Sequence, residues 1–208
     1  SSEQSADYDD RELPLHGLPV LKPGGGLNLL RGVRVIDLTT SVAGPYASML
    51  LSDFGAEVVK VERPEGDDAR GWGPPFLDGE SLWFAAVNRN KKSVVLDLNG
   101  DKGRAALDRL IASGDVFITN QPPSVQKKLG LDHEAVRAIR QDIIFTSITG
   151  FGLDGARADL TCYDLIAEGY SGIMDLTGEA GGEAQKIGAP AADMLAGQEA
   201  AMDTIAAL

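Results

Sequence analysis

Short β-rich runs alternate with stretches of helical periodicity in the first half of the chain. The runs Val33–Leu38 and Glu57–Glu62 flank a segment in which apolar residues recur at i, i+3, i+4 and i+7. Pro45 suits the first turn of a helix there, and Gly55 suits the position just after its end. This strand–helix–strand unit predicts two parallel neighbouring strands joined by a right-handed crossover.

The same unit recurs further along the chain. Strands are predicted at Ser93–Leu98, Val116–Thr119 and Ile143–Thr149. Helices are predicted over residues 102–113, around 124–129, and from a cap at Asp132 to Arg140. The alternation indicates the α/β class, with an open, mostly parallel, Rossmann-like sheet flanked by helices. Ligands of such sheets bind beyond the carboxyl ends of the strands.

The two ends of the chain differ from this middle part. Residues 1–28 are acidic and then rich in glycine and proline, which predicts a flexible tail. Residues 29–208 form the folded part, in which the pattern loosens after Gly155 and an alanine-rich helix begins near Asp193. Because the pattern stops without a helix-end signal, we expect the front portion of a longer domain.

Composition and charge exclude several classes of function. The 208 residues are 43% hydrophobic and 24% charged, as in globular proteins. The net charge of −12 disfavours nucleic acid as a partner. No apolar run reaches the roughly 18 residues that a membrane span needs. The single cysteine, Cys162, offers neither an internal disulfide nor a zinc cluster, so we expect a reducing, cytoplasmic location and a small buried thiol.

One glycine motif has two interpretations. Gly150, Gly152 and Gly155 follow a predicted strand, and Asp175 lies further on at the spacing of a dinucleotide-binding fingerprint. The residues after Gly155 do not open a convincing helix, and the fingerprint normally follows a first strand. We therefore favour a glycine-rich turn that requires positive φ.

The other candidate groups are basic residues, histidines and one aspartate. Lys91 and its basic neighbours predict a solvated face, with a phosphate clamp as the alternative. His16 lies in the tail and His133 on a polar helix face, so neither suits a general base or a metal ligand. Asp193 opens the last predicted helix, where an N-cap is the plain interpretation. That position also suits an ionised, oriented carboxylate.

Several strings resemble, in order and spacing, the class III coenzyme A-transferase family, also described as CaiB/BaiF or formyl-CoA transferase-like. They are residues 30–38 (LRGVRVIDL), 43–45 (AGP), 51–62 (LSDFGAEVVKVE), 88–93 (NRNKKS), 148–152 (ITGFG), 163–167 (YDLIA) and 188–193 (GAPAAD). The resemblance covers roughly residues 29–208. It implies the front portion of a two-domain fold that forms an interlocked homodimer when complete.

The resemblance also implies a reaction. In such enzymes an aspartate, here Asp193, attacks an acyl-CoA thioester, and CoA then passes through an aspartyl-CoA thioester to an acceptor carboxylate. The expected partners are therefore an acyl-CoA and a carboxylic acid, with no tightly bound cofactor, metal, nucleic acid or membrane. Residues 70–76 and 88–92 look most like members that handle dicarboxylates such as succinyl groups.

By the same resemblance, six further positions are expected to bind CoA or its acyl group. Arg63 and Asn120 match positions near the adenine, Lys128 matches a phosphate contact, and the acyl end is matched by Val42, Ala43 and Tyr163. Oxalate/formate members have glutamine at the position of Val42, which disfavours that substrate pair here. Gln121 replaces a common aromatic residue, and a lysine at 128 replaces the more frequent arginine.

Two alternatives stay open at this stage. Racemases of 2-methylacyl-CoA share the fold and the aspartate but carry a histidine at the position of Tyr163, and a neutral tyrosine is a poor partner for proton exchange. The other alternative is a CoA-binding subunit without catalytic activity, or one that depends on a partner chain.

Overall fold

The computed structural model describes residues 28–208, so His16 and all but the last residue of the predicted tail lie outside it. The strands are β1 (Arg34–Leu38), β2 (Glu57–Glu62), β3 (Phe76–Leu77), β4 (Glu80–Ser81), β5 (Lys92–Val95), β6 (Val116–Thr119) and β7 (Ile144–Ser147). The helices are α1 (Ala43–Asp53), α2 (Leu82–Asn88), α3 (Asp101–Ser113), α4 (Pro123–Leu129), α5 (His133–Ile139), α6 (Asp164–Ser171) and α7 (Ala191–Ala207).

Five strands form one parallel sheet in the order β5-β2-β1-β6-β7, which confirms the predicted fold class. The chain first builds outward from β1 to β2 and β5, and then returns to place β6 and β7 on the other side of β1. The order therefore reverses between β1 and β6. In open α/β sheets this reversal opens a crevice beyond the carboxyl ends of the two strands.

Alternating residues of the strands build a core on each face of the sheet. Val35 of β1 packs with Leu51 of α1 and Ala201 of α7 on one face. Its neighbour Ile36 packs with Leu107 of α3 and with residues of α5 on the other face. Since both faces are covered, the inner strand β6 is buried along its whole length, as is typical of a parallel sheet.

One predicted strand boundary is wrong, and several elements were not predicted. The strand expected at 93–98 ends at Val95, because its partner β2 ends at Glu62 and offers no further residues to pair with. The hairpin of β3 and β4 and the helices α2 and α6 were not predicted. The two helices are only seven and eight residues long, shorter than the window of about 11–18 residues in which helical periodicity is recognised.

The glycine motif after β7 forms a turn. Gly152 and Gly155 both have φ of +88°, in the left-handed region, and the next helix, α6, begins only at Asp164. The predicted glycine-rich turn is therefore confirmed. No helix within residues 28–208 is both long enough and apolar enough to cross a bilayer.

Candidate active site

A cavity of about 410 Å³ lies in the crevice beyond the carboxyl ends of β1 and β6. The loop from β1 to α1, the loop from β6 to α4 and the start of α7 form its walls. The lining includes Thr40, Ser41, Val42, Ala43, Asn120, Gln121, Cys162, Tyr163, Ala192 and Asp193. Five of the seven residues implied by the family resemblance are thus brought together here, and Arg63 and Lys128 are not among them.

Asp193 is the third residue of α7 and is partly buried in the wall of this cavity. Its removal from water, and then the nearby carboxylate of Asp164, raise the pKa of Asp193 to about 6. Within residues 28–208 no basic side chain counters these effects. The site therefore contains a carboxylate that is ionised at neutral pH but is poorly stabilised as an anion.

The predicted role of Asp193 as an N-cap is wrong. The N-cap residue of α7 is Pro190, and its side chain cannot accept a hydrogen bond. The side chain of Asp164 caps α7 instead, because its Oδ1 accepts from the backbone N–H groups of Ala192 at 2.8 Å and Asp193 at 3.2 Å. This leaves the side chain of Asp193 available to the cavity.

The start of α1 forms the opposite wall. Val42 and Ala43 line the cavity, and α1 begins there without a side-chain cap. A Cβ atom on Gly197 of α7 would lie 2.5 Å from the carbonyl oxygen of Ala43, so glycine is required for the two helices to approach this closely. The N-terminal ends of α1 and α7 meet at the same cavity. The end of α7 already binds the carboxylate of Asp164, whereas the end of α1 has no side-chain cap, so its dipole favours an anion there.

Tyr163 and Cys162 line the cavity from the segment that precedes α6. Tyr163 is exposed, and Cys162 is only partly buried, so the expectation of a buried core thiol is wrong. Burial, and then the negative charge of Asp193, raise the pKa of the Cys162 thiol. A Cβ atom on Gly150 would lie 2.0 Å from the Cβ atom of Cys162, so the turn holds this thiol by close packing.

Asn120 connects the two loops of the crevice. Its Oδ1 accepts from the N–H of Thr40 at 3.0 Å, and its Nδ2 donates to the Thr40 carbonyl oxygen at 2.8 Å. Although Asn120 lines the cavity, its amide group thus pairs with the backbone of the β1–α1 loop.

Arg63 lies in a second cavity of about 540 Å³, beyond the ends of β2 and β5. The Arg63 guanidinium is exposed and pairs with Asp68. Thr40 and Gln121 line both cavities, so the two adjoin. Lys128 is exposed in the last turn of α4 and lines neither cavity, although its neighbour Leu129 lines the second.

A network of buried charges beneath the β1–α1 loop was not predicted. The carboxylate of Asp37 accepts hydrogen bonds from Thr39, Ser48 and Lys91. Lys91 is buried, so both a solvated face and a phosphate clamp are wrong for it. The sequence does contain a signal for this network, because Asp37 interrupts an otherwise apolar strand.

The fold and the cavity define an open α/β protein whose crevice contains the carboxyl of Asp193, with its raised pKa. Among residues 28–208, no group of three or more histidine, cysteine or acidic side chains is placed to hold a metal. Comparison with known proteins gives a more specific result. Residues 30–208 match the family described as CoA-transferase family III, and the chain belongs to that family.

Individual relatives agree with this assignment. The chain is 46% identical to a succinate–glutarate CoA-transferase of Agrobacterium fabrum, over 81% of this chain and 44% of the relative. It is 44% identical to a succinyl-CoA:glutarate CoA-transferase of Mus musculus, over 81% of this chain and 39% of the relative. The chain therefore spans less than half the length of these relatives.

A solved structure is also similar. A CaiB/BaiF family protein from Brucella suis matches with a TM-score of 0.82 and 43% identity, covering 86% of this chain and 48% of that protein. The similarity supports the same parallel α/β architecture in both proteins.

Proposed function

We propose that the protein transfers CoA from a dicarboxylyl-CoA thioester to an acceptor carboxylate, with Asp193 as the nucleophile. The observation that carries this proposal is the partly buried, unneutralised carboxylate of Asp193 in a cavity at the reversal point of the sheet. Membership of CoA-transferase family III and the names of the relatives support the reaction class.

The reaction would proceed by four acyl transfers. Asp193 attacks the thioester carbonyl, the C–S bond breaks, and a mixed anhydride and CoA thiolate form. The thiolate attacks the side-chain carbonyl carbon of Asp193, which releases the donor acid and leaves an aspartyl-CoA thioester. The acceptor carboxylate displaces the thiolate to form a second anhydride. The thiolate then attacks the acceptor carbonyl and regenerates the carboxylate of Asp193.

The surroundings of Asp193 suit this role. At neutral pH a carboxyl with a pKa of about 6 is mostly ionised, as a nucleophile must be. Its partial desolvation removes water that would otherwise stabilise the ground-state anion and hydrolyse the anhydride. The N-terminus of α1 at the cavity would stabilise negative charge on the attacked carbonyl oxygen.

The two adjoining cavities would accommodate the two ends of CoA. We place the acyl group and the thioester near Val42, Ala43 and Tyr163, which share the cavity of Asp193. The nucleotide would occupy the second cavity beside Arg63. Lys128 lines neither cavity, so it would contact a phosphate only at the outer edge of the second cavity.

Asn120 would bind CoA only indirectly. Since its amide already makes two hydrogen bonds with Thr40, we propose that it shapes the wall that the ligand contacts. Direct hydrogen bonds to the adenine would require these two bonds to break.

The dicarboxylate preference rests on the relatives. The names of the Agrobacterium and mouse proteins pair succinate with glutarate, and a relative from Haloarcula hispanica, 38% identical, is named for succinyl-CoA and mesaconate. We therefore propose succinyl-CoA as the first donor to test.

Trapping the intermediate tests the proposal. The protein is mixed with succinyl-CoA, quenched in acid, and measured by intact and peptide mass spectrometry. A CoA-sized adduct is expected on the peptide that contains Asp193, and it should be absent in Asp193→Ala. The matched control is Asp203→Asn on the same helix, which should keep the adduct because Asp203 does not line the site cavity. No adduct with any dicarboxylyl-CoA would contradict the proposal.

A second assay, of the same protein with a 2-methylacyl-CoA in deuterated water, distinguishes the racemase alternative. Racemisation would exchange the α-hydrogen of a 2-methylacyl-CoA with deuterium from solvent without a co-substrate. The structure does not favour it, because Tyr163 occupies the position of the second base and the histidine within residues 28–208, His133, packs against Phe145.

Assembly and location are also proposals. Apolar side chains are exposed on the two C-terminal helices, at Leu165, Ile166, Tyr170, Leu195, Met202 and Ile205. Such a surface supports association, and we propose a homodimer, which light scattering would detect. We propose a cytoplasmic location, which imaging of the tagged protein would test.

A further inference from the structure

The β1–α1 loop is held by side chains at each residue from Thr39 to Ser41. Thr39 donates through its N–H to Asp37, and its carbonyl oxygen accepts from Lys60 at 2.8 Å. Thr40 is paired at both its N–H and its carbonyl oxygen by Asn120. Immediately after these residues the chain enters the cavity wall at Val42 and Ala43. The position of that wall therefore depends on these bonds.

Ser41 has a strained backbone conformation in this loop. Its φ is +69°, a left-handed conformation that costs free energy in any residue with a Cβ atom. Its N–H donates to Oδ1 of Asp67 at 3.2 Å, the one contact in the loop that comes from the segment after β2. Without this bond, Ser41 would relax toward ordinary backbone angles and move Val42 and Ala43 with it.

The side chain of Asp67 is fixed in position by further partners. Its side chain is fully buried, and its Oδ2 pairs with Nζ of the buried Lys60 at 2.8 Å. Its Oδ1 also accepts from the N–H of Ala69 at 3.0 Å, which starts a short 3₁₀ turn. A buried ion pair costs desolvation free energy, so stability alone does not explain it. Both carboxylate oxygens accept hydrogen bonds, and Oδ1 accepts one from the β1–α1 loop.

We propose that Asp67 is a positioning residue that holds Ser41 in its left-handed conformation and so keeps Val42 and Ala43 in place opposite Asp193. This inference rests on the proposed function for its catalytic meaning. Its structural content, the dependence of the loop on Asp67, can be measured without any reaction.

The variant Asp67→Asn tests this dependence. An amide has one acceptor oxygen, which the ammonium of Lys60 would attract, so the NH₂ group would then face the N–H of Ser41. Given the cost of a left-handed residue, the single-turnover rate of adduct formation on Asp193 should fall roughly tenfold. Hydrogen exchange in a peptide spanning residues 39–46 should increase.

Rescue by Ser41→Gly separates positioning from general stability. Glycine adopts positive φ without the Cβ penalty, so adding Ser41→Gly to Asp67→Asn should restore most of the rate and of the exchange protection. A purely structural role for the Lys60–Asp67 pair predicts no restoration. If the double variant exchanges and reacts like Asp67→Asn alone, the inference is wrong.

A second variant leaves the buried charges untouched, in case Asp67→Asn does not fold. Ser41→Val makes the left-handed conformation more costly, so it should increase exchange in the same peptide and slow adduct formation. Unchanged exchange in Ser41→Val would overturn the inference. If the wild-type protein forms no adduct at all, the proposed function fails, and the exchange measurements still decide the role of Asp67.

Discussion

Two acidic residues near the active-site crevice, Asp37 and Asp193, have opposite surroundings. Asp37 is fully buried, and burial alone would raise its pKa, but Lys91 and Lys60, with two hydroxyl donors, lower it overall. Asp193 is only partly buried, yet its pKa rises to about 6, because burial and then the charge of Asp164 raise it and no basic side chain of the described residues offsets them. The more buried carboxylate is thus the more stable anion.

The comparison shows that partners, rather than depth, decide whether the pKa of a carboxyl in this crevice is lowered or raised. A buried charge with complete hydrogen bonding contributes to the shape of the loop above it. A half-buried carboxylate beside a like charge is less stable as an anion, and such perturbed groups are typical of functional sites. The following substitutions test this distinction.

Asp193→Asn should have the largest effect on activity and the opposite effect on stability. If Asp193 is the nucleophile, as proposed, its loss should lower turnover roughly a thousandfold or more. Between its ordinary pKa of 3.8 and about 6, the folded protein binds a proton that the unfolded chain has released, so above this range the ionised side chain destabilises the fold. Asn removes that cost, and the free energy of unfolding at neutral pH should rise by about 1–2 kcal/mol.

Urea denaturation and steady-state assays measure both quantities. Asp203→Asn, at an exposed position on the same helix, is the control and should change neither by much. A less stable Asp193→Asn variant would show that the site does not destabilise its carboxylate.

Lys91→Met should destabilise the fold strongly. Lys91 is buried and donates to Asp37, to Asn88 and to the carbonyl oxygen of Pro45, so its loss leaves the buried carboxylate of Asp37 without its ion-pair partner. The free energy of unfolding should fall by about 3–5 kcal/mol. The adjacent Lys92 pairs with Glu57 at the surface, so Lys92→Met should cost less than about 1 kcal/mol in the same denaturation experiment. Equal midpoints for the two variants would contradict the comparison.

Gly197→Ala should have an intermediate effect. The added Cβ would meet the backbone of Ala43, which cannot move aside as a flexible side chain can, so we expect a loss of about 1–3 kcal/mol. Turnover should fall too, since α7 carries Asp193. Gly169→Ala in α6 has only an ordinary 3.7 Å contact with Met174, so it should be neutral or stabilising in thermal unfolding. If both variants melt alike, the close approach of α1 and α7 does not matter.

Asp164→Asn should have the smallest effect, visible in the pH dependence. The amide oxygen can still cap α7, but the negative charge near Asp193 is lost, so the pKa of Asp193 should fall. Wild-type kcat/KM should decrease as the pH falls through about 6, because protonation removes the nucleophile. In the variant this decrease should shift to lower pH, by up to roughly one unit. An unshifted profile would remove Asp164 as a cause of the raised pKa.

The core of the fold could be predicted from the sequence because it repeats one simple pattern. Each buried strand of the parallel sheet is a short apolar run, and α1 and α3 show clear helical periodicity. α6 was missed because it is only eight residues long, too short for its apolar positions Leu165, Ile166 and Tyr170 to establish a helical period. Missing α6 also led to the wrong cap for α7, because the true cap, Asp164, is the first residue of α6.

The candidate site was only partly predictable for a different reason. Local strings and the family resemblance indicated Asp193, Val42 and Ala43, which the structure places in one cavity. The pairing of Lys60 with Asp67 is a tertiary contact made after the chain turns back on itself, and periodicity carries no information about it. A lysine in the middle of the apolar run of β2 was the available hint.

The contact of Gly197 with Ala43 joins segments that are far apart along the chain, and this has a consequence for folding. Closing such a long loop costs conformational entropy, which is recovered only when α7 docks on α1. Contacts of this range form slowly compared with local helices. On the ribosome and in any unfolded state, Asp193 is therefore an ordinary carboxylic acid, and it acquires its altered proton affinity only when α7 is in place.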